Sequence, residues 1–361
     1  MSTLFVCAVI PCLNEEQTLA ATCQSLGFGP ACKPPTDAAL VIVDNGSTDQ
    51  TLLVAQAVHA GAPRDAVLVA EERERGYVPP RHRGNVLAVG LANAKDFSKS
   101  ATLLVQADAD TEYSPGYLDA FRQDALTHGT GFMFEGCMGW PADFAAEHHD
   151  YIELCDKVDA EFASLLNDRP TDVLIDDKAC AYFASDYERW GGHQREFTTR
   201  GEEIFSETTR LYLRARTYGA SRRLCEDALA RHSARRVLSE PALSFATAGF
   251  PRGGAFRAAW RHVYDGPESL SDFTQSARDV ASHFAIRARR AHLWGLFSLL
   301  PAHVVRSLAQ EQVSFDTAER ETVSLPQRSL QTVRDRPGVL LEDVLDRIDK
   351  RVFGAQPSVP I

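Results

Sequence analysis

Short apolar runs alternate with amphipathic stretches between residues 4 and 135 of the chain. The runs are rich in β-branched residues, and this alternation is typical of strand–helix units on a parallel sheet. It predicts strands at Leu4–Ile10, Ala39–Val43, Ala66–Ala70, Thr102–Gln106 and Gly131–Phe134. It predicts helices at Glu15–Leu26, Thr48–His59, Asn85–Asp96 and Pro115–Thr127. Asn14 and Ser47 are the expected N-caps of the first two helices, because their side-chain oxygens can accept from first-turn amides.

The pattern changes beyond Trp140. A long helical pattern covers Pro141 to about Leu166, a mixed region follows, and residues 253–352 are again mostly helical in pattern. We therefore predict an α/β protein with a Rossmann-like, mostly parallel sheet flanked by helices. A helical C-terminal section is expected to follow the sheet.

Composition limits the classes of partner. The 361 residues are 44% hydrophobic, which is enough for a large core. The formal net charge is −11, and this disfavours a nucleic-acid partner, whose binding depends on neutralising phosphates. An anionic substrate would therefore have to be bound by local cations.

The eight cysteines form no C-x-x-C pair and no zinc-like cluster with histidine, so we expect reduced, mostly buried thiols. Leu4–Pro11 is apolar but short and has no basic leader, which favours a cytoplasmic protein. The apolar run Leu293–Leu300, flanked by arginines, has two interpretations. We favour a core or oligomer helix, and a peripheral membrane contact is the alternative.

Polar residues follow four of the predicted elements in the first half: Pro11 to Glu16, Asp44 to Asp49, Pro80 to Asn85, and Asp108 to Asp110. The carboxyl ends of parallel strands meet at one edge of a sheet, so these groups can converge on one ligand. Asp108 and Asp110 alone have two interpretations. They could turn the chain and cap the next helix, or they could hold a divalent cation against a diphosphate.

The segments "AVIPCLNEEQTL", "VIVDNGSTDQT" and "VQADADTEYSPGYL" occur in this order and spacing. Together they resemble the family 2 glycosyltransferases of the GT-A fold, over roughly residues 4–240. The resemblance implies a nucleotide-sugar-binding half at 1–135 and an acceptor-side half at 136–250. Residues 251–361 would then be a mainly helical extension.

The resemblance also implies an enzyme that transfers a sugar from a nucleoside diphosphate sugar to an acceptor hydroxyl. The expected nucleotide-binding residues lie in the three motifs, between the second and third motifs, or in a later basic segment. They are Pro11, Leu13, Asn14, Glu15, Asp44, Asn45, Arg83, Asp108, Arg235 and Arg236. Arg83 would face the diphosphate, with Arg81 as the second candidate. Asn45 departs from the aspartate that many members carry, and this leaves the identity of the donor open, because an amide can donate as well as accept.

Asp108 and Asp110 form the D-x-D motif, and the resemblance implies that they bind Mg²⁺ or Mn²⁺, with His232 as a further ligand. An inverting transfer needs a carboxylate to take the proton of the acceptor hydroxyl. Glu203 is the predicted base and Glu202 the second candidate, because Gly201-Glu202-Glu203 matches the acidic pair that opens a helix in the family. The family usually has Glu-Asp there.

Two alternatives remain at the level of the sequence. One is a retaining transferase of a neighbouring GT-A family, and the other is a GT-A-like module that binds a nucleotide or a partner without turnover. The acceptor is open between a glycan, a lipid and a small molecule, and the oligomeric state is undetermined. No G-x-x-x-x-G-K-[ST] loop, G-x-S-x-G elbow or dinucleotide fingerprint supports another chemistry.

Overall fold

The computed structural model describes residues 3–30, 32–166, 172–267, 269–279, 283–309 and 324–354. The chain forms two compact units. The first comprises Met1–Trp140, Ile175–Arg195 and Ser206–Ser233, and the second comprises Pro141–Leu174, Glu196–Phe205 and Ala234–Ile361. The boundaries predicted at 135 and 250 separate a nucleotide-sugar-binding half, an acceptor-side half and an extension. This division of function stays a prediction.

The first unit is built on one eight-stranded sheet. Its strands are β1 (Phe5–Cys12), β2 (Ala38–Asp44), β3 (Val67–Glu71), β4 (Thr102–Gln106), β5 (Glu112–Tyr113), β6 (Phe132–Gly139), β7 (Cys180–Phe183) and β8 (Ser221–Arg231). Their order is β3-β2-β1-β4-β7-β6-β8-β5. Strand β2 is parallel to β1 and β3, and β1 is parallel to β4. Strand β7 is antiparallel to β4 and β6, whereas β6 is parallel to β8. The predicted α/β class and all five predicted strands are confirmed.

The helices connect the strands in the first unit and dominate the second. In chain order they are α1 (Leu19–Ser25), α2 (Thr51–Gly61), α3 (Val78–Ala94), α4 (Tyr117–His128), α5 (Ala142–Glu147), α6 (His149–Asp159), α7 (Ala163–Leu166), α8 (Ala184–Arg189), α9 (Glu207–Arg216), α10 (Arg235–Ser239), α11 (Pro241–Ala246), α12 (Gly254–Val263), α13 (Leu270–Asp279), α14 (Phe284–Trp294), α15 (Leu300–Ala309), α16 (Leu330–Asp335) and α17 (Gly338–Phe353).

Both faces of the sheet are covered, as the near-continuous apolar strands require. In β1, Val6, Ala8 and Ile10 belong to the core that includes residues of α1, α2 and α4. The alternate residues Phe5 and Cys7 belong to the core that includes residues of α3, α8 and α9. Because successive side chains of a strand point to opposite faces, this segment is buried on both sides.

Helix α3 begins seven residues earlier than the predicted Asn85, at Val78. The reason is the pair Pro79-Pro80 in its first turn, which the prediction treated as part of a loop. Proline is tolerated there because first-turn amides have no partner inside the helix, and its fixed φ suits the helix. Arg81 and Arg83 therefore lie on a helix rather than in the loop before it.

Gly84 lies where α3 packs closely against the sheet. A Cβ at this position would lie 2.3 Å from Val9 Cγ1 and 3.3 Å from Val43 Cγ2. We expect Gly84→Ala to lower the free energy of unfolding by about 1–3 kcal/mol, because helix and strands must separate. Gly90→Ala is the control, since a Cβ at this position would meet no described heavy atom within 4 Å apart from its chain neighbours and the backbone of its own helix. It should stabilise α3 by roughly 0.5–1 kcal/mol. Urea unfolding measures both variants. Equal changes in their free energies of unfolding would contradict this packing.

The second unit is helical in its described residues, apart from the isolated bridge between Phe197 and Glu203. The helical pattern predicted from Pro141 to Leu166 is present, but it is divided into α5, α6, a 3-10 turn and α7. The predicted helical section at 253–352 is present from α12 to α17. Its residues 268, 280–282 and 310–323 lie outside the described residues.

The apolar run Leu293–Leu300 is part of the core of the second unit. Leu293, Leu296, Leu299 and Leu300 are all at most 2% exposed. The run contains a π-helical turn at Gly295–Leu299, where Gly295 packs against Ile348 of α17. This burial supports the core interpretation of the run rather than the membrane contact.

In the described residues, no helix is both long and apolar enough to cross a membrane. None of the eight cysteines, all of which lie in the described residues, forms a disulfide; six are buried and two, Cys32 and Cys137, are partly buried. The expectation of mostly buried thiols is confirmed.

Candidate functional site

The ends of β1, β2 and β4 define one edge of the sheet in the first unit. Cys12 at the end of β1 pairs with Asp44 at the end of β2, and Val9 pairs with Gln106 at the end of β4. Each of the three motifs contains one of these strand ends, Cys12, Asp44 or Gln106. Parallel pairing therefore brings them to the same edge, as the alternation of elements predicted.

Two of these motifs are joined by hydrogen bonds between their loops. The Asn14 amide donates to Ser47 Oγ (2.9 Å), and Asn14 Oδ1 accepts from the Thr48 amide (2.8 Å). The Glu15 amide donates to Thr51 Oγ1 (2.7 Å). Asn14 adopts φ 58°, a left-handed conformation that asparagine tolerates better than most residues. We call residues 13–16 and 47–51 the paired loops.

The predicted N-caps are wrong. Helix α1 begins after Thr18 and α2 after Gln50, three or four residues later than Asn14 and Ser47 imply. The oxygens of Asn14 and Ser47 accept from the opposite loop instead of from their own helices. Of the other residues predicted there, Pro11 lies in β1 and is half-buried, while Leu13 is 44% exposed.

Asp44 and Asn45 are both buried and hold backbone in place. Asp44 Oδ2 accepts from the amides of Gly46 (3.0 Å) and Ser47 (3.1 Å), which closes the turn after β2. The Asn45 amide group donates to the carbonyls of Glu72 (2.9 Å) and Glu74 (2.7 Å). An aspartate could not donate these two bonds, so the amide fixes the loop after β3. Base recognition by either residue stays a prediction.

The two arginines of α3 have different environments. Arg83 is exposed, whereas the Arg81 side chain is only 4% exposed. Arg81 pairs through Nη2 with Asp108 Oδ1 (2.9 Å) and through Nε with Glu207 Oε1 (2.8 Å). Burial lowers the pKa of Arg81, but Glu207 and Asp108 offset this and leave the pKa well above its ordinary value. Arg81 is therefore a buried, permanently charged cross-link to the D-x-D motif.

The D-x-D segment is fixed by its backbone. The Asp108 amide donates to the Tyr113 hydroxyl (2.9 Å), which donates to the Lys178 carbonyl (3.0 Å). The Ala109 carbonyl accepts from Thr22 Oγ1 (3.0 Å). Both Asp108 and Asp110 are half-buried, so neither carboxylate is sealed from a ligand.

Asp110 and His232 are the predicted metal ligands that fit a cation best. Burial and then the Lys178 ammonium lower the pKa of His232, while Asp176 and Asp110 act in the opposite direction. The imidazole is thus neutral near pH 7, the form that binds a metal. A carboxylate with an imidazole, completed by diphosphate oxygens, suits Mn²⁺ or Mg²⁺. Asp108 has one oxygen committed to Arg81.

A different trio forms the tightest metal-like cluster in the described chain. His149, Asp150 and Glu153 place one ligand atom each within 4.8 Å of one another, and all three are exposed. Arg278 forms ion pairs with both Asp150 (3.2 Å) and Glu153. The guanidinium already neutralises these carboxylates, so the cluster has the character of a surface ion-pair network.

A segment that was not predicted from the sequence, Asp176-Asp177-Lys178, reaches the same edge. It precedes β7, which is antiparallel to β4 and pairs Cys180 with Gln106. The amino end of β7 therefore lies beside the carboxyl end of β4. The Lys178 ammonium pairs with Asp176 Oδ1 (2.7 Å). The signal in the sequence was an acidic pair two residues before the short apolar run CAYF.

The predicted acidic pair does not open a helix. Glu203 is bridged to Phe197 in a small hairpin with Gly201 at φ +80°, and the next helix, α9, begins at Glu207. The hairpin commits the backbone of Glu203 to strand pairing, which is why no helix starts there. Glu202 Oε1 accepts from the Ala255 amide (3.1 Å) at the start of α12. The base role of Glu203 or Glu202 stays a prediction.

The predicted basic segment is divided between the units. His232 follows β8 in the first unit, and its backbone amide donates to the Gly139 carbonyl (3.2 Å). The centroid of its ring lies 4.3 Å from that of the Trp140 ring. Arg235 and Arg236 are exposed and open α10 in the second unit. Their role at the diphosphate stays a prediction.

Several solved structures are similar to the chain. Staphylococcus aureus TarS residues 1–349 in complex with UDP is 14% identical, with 91% of this chain and 90% of that one covered and a TM-score of 0.43. Mannosyltransferase PcManGT from Pyrobaculum calidifontis, in complex with GDP-Man and Mn²⁺, is 13% identical, with 98% and 88% covered and a TM-score of 0.47. At these values the similarities assign no activity to this chain.

No curated protein sequence matches the chain. A family model does match its first part: residues 7–135 correspond to the model described as "Glycosyl transferase family 2". The matched span runs from β1 into β6 and contains all three motifs, with the D-x-D pair near its end. The resemblance inferred from the motifs is therefore confirmed over residues 7–135, the part of the chain that is similar to the glycosyl transferase family 2 model.

Proposed function

We propose that the protein transfers a sugar from a nucleoside diphosphate sugar to an acceptor hydroxyl, with inversion at the anomeric carbon and with help from a divalent cation. The observation that carries the proposal is the convergence of the paired loops, Asp44 and the D-x-D pair at one edge of the sheet within the family-matched span. Ligands of open α/β sheets bind at such an edge, where parallel strands end.

Each group in the proposed donor site has a task set by its chemistry. The paired loops and Asp44 would contact the nucleoside, and Arg83 would face the diphosphate through its exposed guanidinium. Asp110 and His232 would hold Mg²⁺ or Mn²⁺, which neutralises charge on the departing diphosphate when bound. Asp108, fixed by Arg81, would use its remaining oxygen toward the sugar or ribose.

The transfer also needs a base for the acceptor proton, for which the sequence names Glu203 and then Glu202. The neighbouring structures hold UDP and GDP-Man, and UDP-GlcNAc has been bound to TarS. Uridine and guanosine diphosphate sugars are accordingly the first donors to test. The acceptor class, a glycan, a lipid or a small molecule, is left open by the site.

A thermal-shift screen tests donor binding. Nucleoside diphosphate sugars are added with and without Mn²⁺, and a ligand of the folded state stabilises it by about 2.7 kcal/mol at 100 times its Kd. We expect one class of donor to raise the melting temperature by several degrees, and more so with Mn²⁺. No shift with any donor, in either condition, would overturn the proposal. The anomeric configuration of the product then separates inversion from retention.

A further inference from the structure

Asp177 presents a carboxylate at the start of a helix in the first unit. Its Oδ1 accepts from the Thr208 amide (2.8 Å) in the first turn of α9. The side chain is half-buried, and among the described residues this is the one hydrogen bond that the carboxylate accepts. Because first-turn amides favour negative charge, the helix end orients the carboxylate and leaves its second oxygen for another partner.

Arg81 ties Asp177 to the D-x-D motif. Its Nη1 donates to the Asp177 carbonyl (3.1 Å), while Nη2 and Nε pair with the side chains of Asp108 and Glu207. One buried guanidinium therefore fixes the end of β4, the start of α9 and the segment before β7. Of the three carboxylates in this cluster, those of Asp108 and Glu207 each form an ion pair with Arg81 through one oxygen, and that of Asp177 does not.

The electrostatic environment of Asp177 suits proton transfer. Burial and then repulsion from Glu207 raise its pKa to about 7, with Arg81 acting against them. A base is most effective when its pKa lies near the working pH, because it is then both deprotonated and basic. The charged or titratable groups that act on Asp177 or lie next to it are Glu207, Arg81, Asp108, Cys180, Asp176 and Lys178.

We propose that Asp177, rather than Glu203, is the general base that takes the proton of the acceptor. The inference rests on the proposed function, and it names the residue for the step that function requires. The acceptor oxygen forms a bond to the anomeric carbon, and the bond from that carbon to the diphosphate oxygen breaks. The bonding pair leaves with the nucleoside diphosphate, and the acceptor proton moves to Asp177 Oδ2.

Glu202 and Glu203 both form other hydrogen-bonded contacts within the second unit. The Glu202 carboxylate accepts from the start of α12, and the Glu203 backbone is paired with Phe197. Asp177, in contrast, belongs to the same unit as Asp108 and Asp110 and is joined to Asp108 through a single side chain. Proximity to the reacting carbon is the first requirement for a base, ahead of its pKa.

Asp177→Asn keeps the size of the side chain and an oxygen for the Thr208 amide, but removes the proton acceptor. The readout is release of nucleoside diphosphate from UDP- and GDP-sugars with Mn²⁺, with water as the acceptor. We expect kcat to fall by about 10²–10⁴-fold with unchanged affinity for UDP or GDP. Wild-type kcat/KM should rise with pH through about 7. This rise should be absent in Asp177→Asn and present in Asp177→Glu.

Asp186→Asn is the matched control. Asp186 lies in the first turn of α8, accepts from a backbone amide, that of Gly131 (2.7 Å), and is buried, but it is outside the Arg81 cluster. It should keep the wild-type rate and pH profile. Glu203→Gln tests the other candidate base. If Glu203→Gln loses turnover while Asp177→Asn turns over at the wild-type rate, the inference about Asp177 is wrong but the proposed function is not. A wild-type protein that turns over none of the donors overturns the proposed function together with it.

Discussion

Arg81→Met is expected to lower the free energy of unfolding by about 3–5 kcal/mol, because it leaves buried carboxylates without their counter-ion. The Glu207 side chain is only 7% exposed and the Asp108 side chain 31% exposed, and both are paired with the same guanidinium. Methionine replaces the apolar stem of arginine but not its charge. The loss should appear as a lower urea midpoint at pH 7.

The control for this variant lies two residues away on the same helix. Arg83 is exposed, so Arg83→Met should change stability by no more than about 0.5 kcal/mol. If Arg83 faces the diphosphate as predicted, the same variant should still bind UDP or GDP more weakly. Equal urea midpoints for Arg81→Met and Arg83→Met would show that the buried ion pairs do not stabilise the fold.

Asp110→Ala is expected to remove the part of the activity that depends on Mn²⁺. A bound cation contributes several kcal/mol to stabilising the departing diphosphate, which corresponds to a fall of about 10²–10³-fold in kcat. The added thermal shift that Mn²⁺ gives with a nucleoside diphosphate sugar should disappear as well. Both measurements use the folded protein, and the half-buried position of Asp110 makes a large loss of stability unexpected.

Glu112→Ala is the control for the metal site. Glu112 is two residues further along, its side chain is 63% exposed, and it interacts with Arg231 at 3.7 Å. Surface ion pairs of this kind contribute little, so both stability and Mn²⁺-dependent turnover should be retained. Mn²⁺-dependent turnover at the wild-type rate in Asp110→Ala would exclude this carboxylate as a metal ligand.

Five of the eight strands of the sheet in the first unit could be predicted from the sequence, because these five are short, apolar and regularly spaced, whereas β5, β7 and β8 were not predicted. Strand β4 has the predicted bounds, and β1 and β2 differ from the prediction by only a few residues. Parallel pairing then fixed which ends of the strands share an edge. The positions of the three motifs follow from this geometry without any further information.

The beginning of α3 could not be predicted in the same way, because prolines are as typical of loops as of a first helical turn. The burial of Arg81 follows from that helix, since a residue in the preceding loop would have been solvated. Only the three-dimensional structure shows that Glu207 lies opposite it.

Asp177 was missed for a topological reason. The alternation of strands and helices predicts parallel connections, whereas β7 runs antiparallel to β4. In an antiparallel neighbour it is the segment before the strand that reaches the carboxyl edge. The predicted base at Glu203 was placed by matching Gly201-Glu202-Glu203 to the acidic pair of the family, and such a match cannot reveal that the helix starts later, at Glu207.

The hydrogen bonds between the paired loops have a consequence for the course of ligand binding. Backbone that is already fixed on both sides loses little conformational entropy when a nucleoside arrives. Association should then approach a rigid-body encounter, with a rate set by diffusion and orientation rather than by loop closure. Calorimetry should give a heat-capacity change that matches the buried apolar surface alone, without the larger value that accompanies folding of a loop on its ligand.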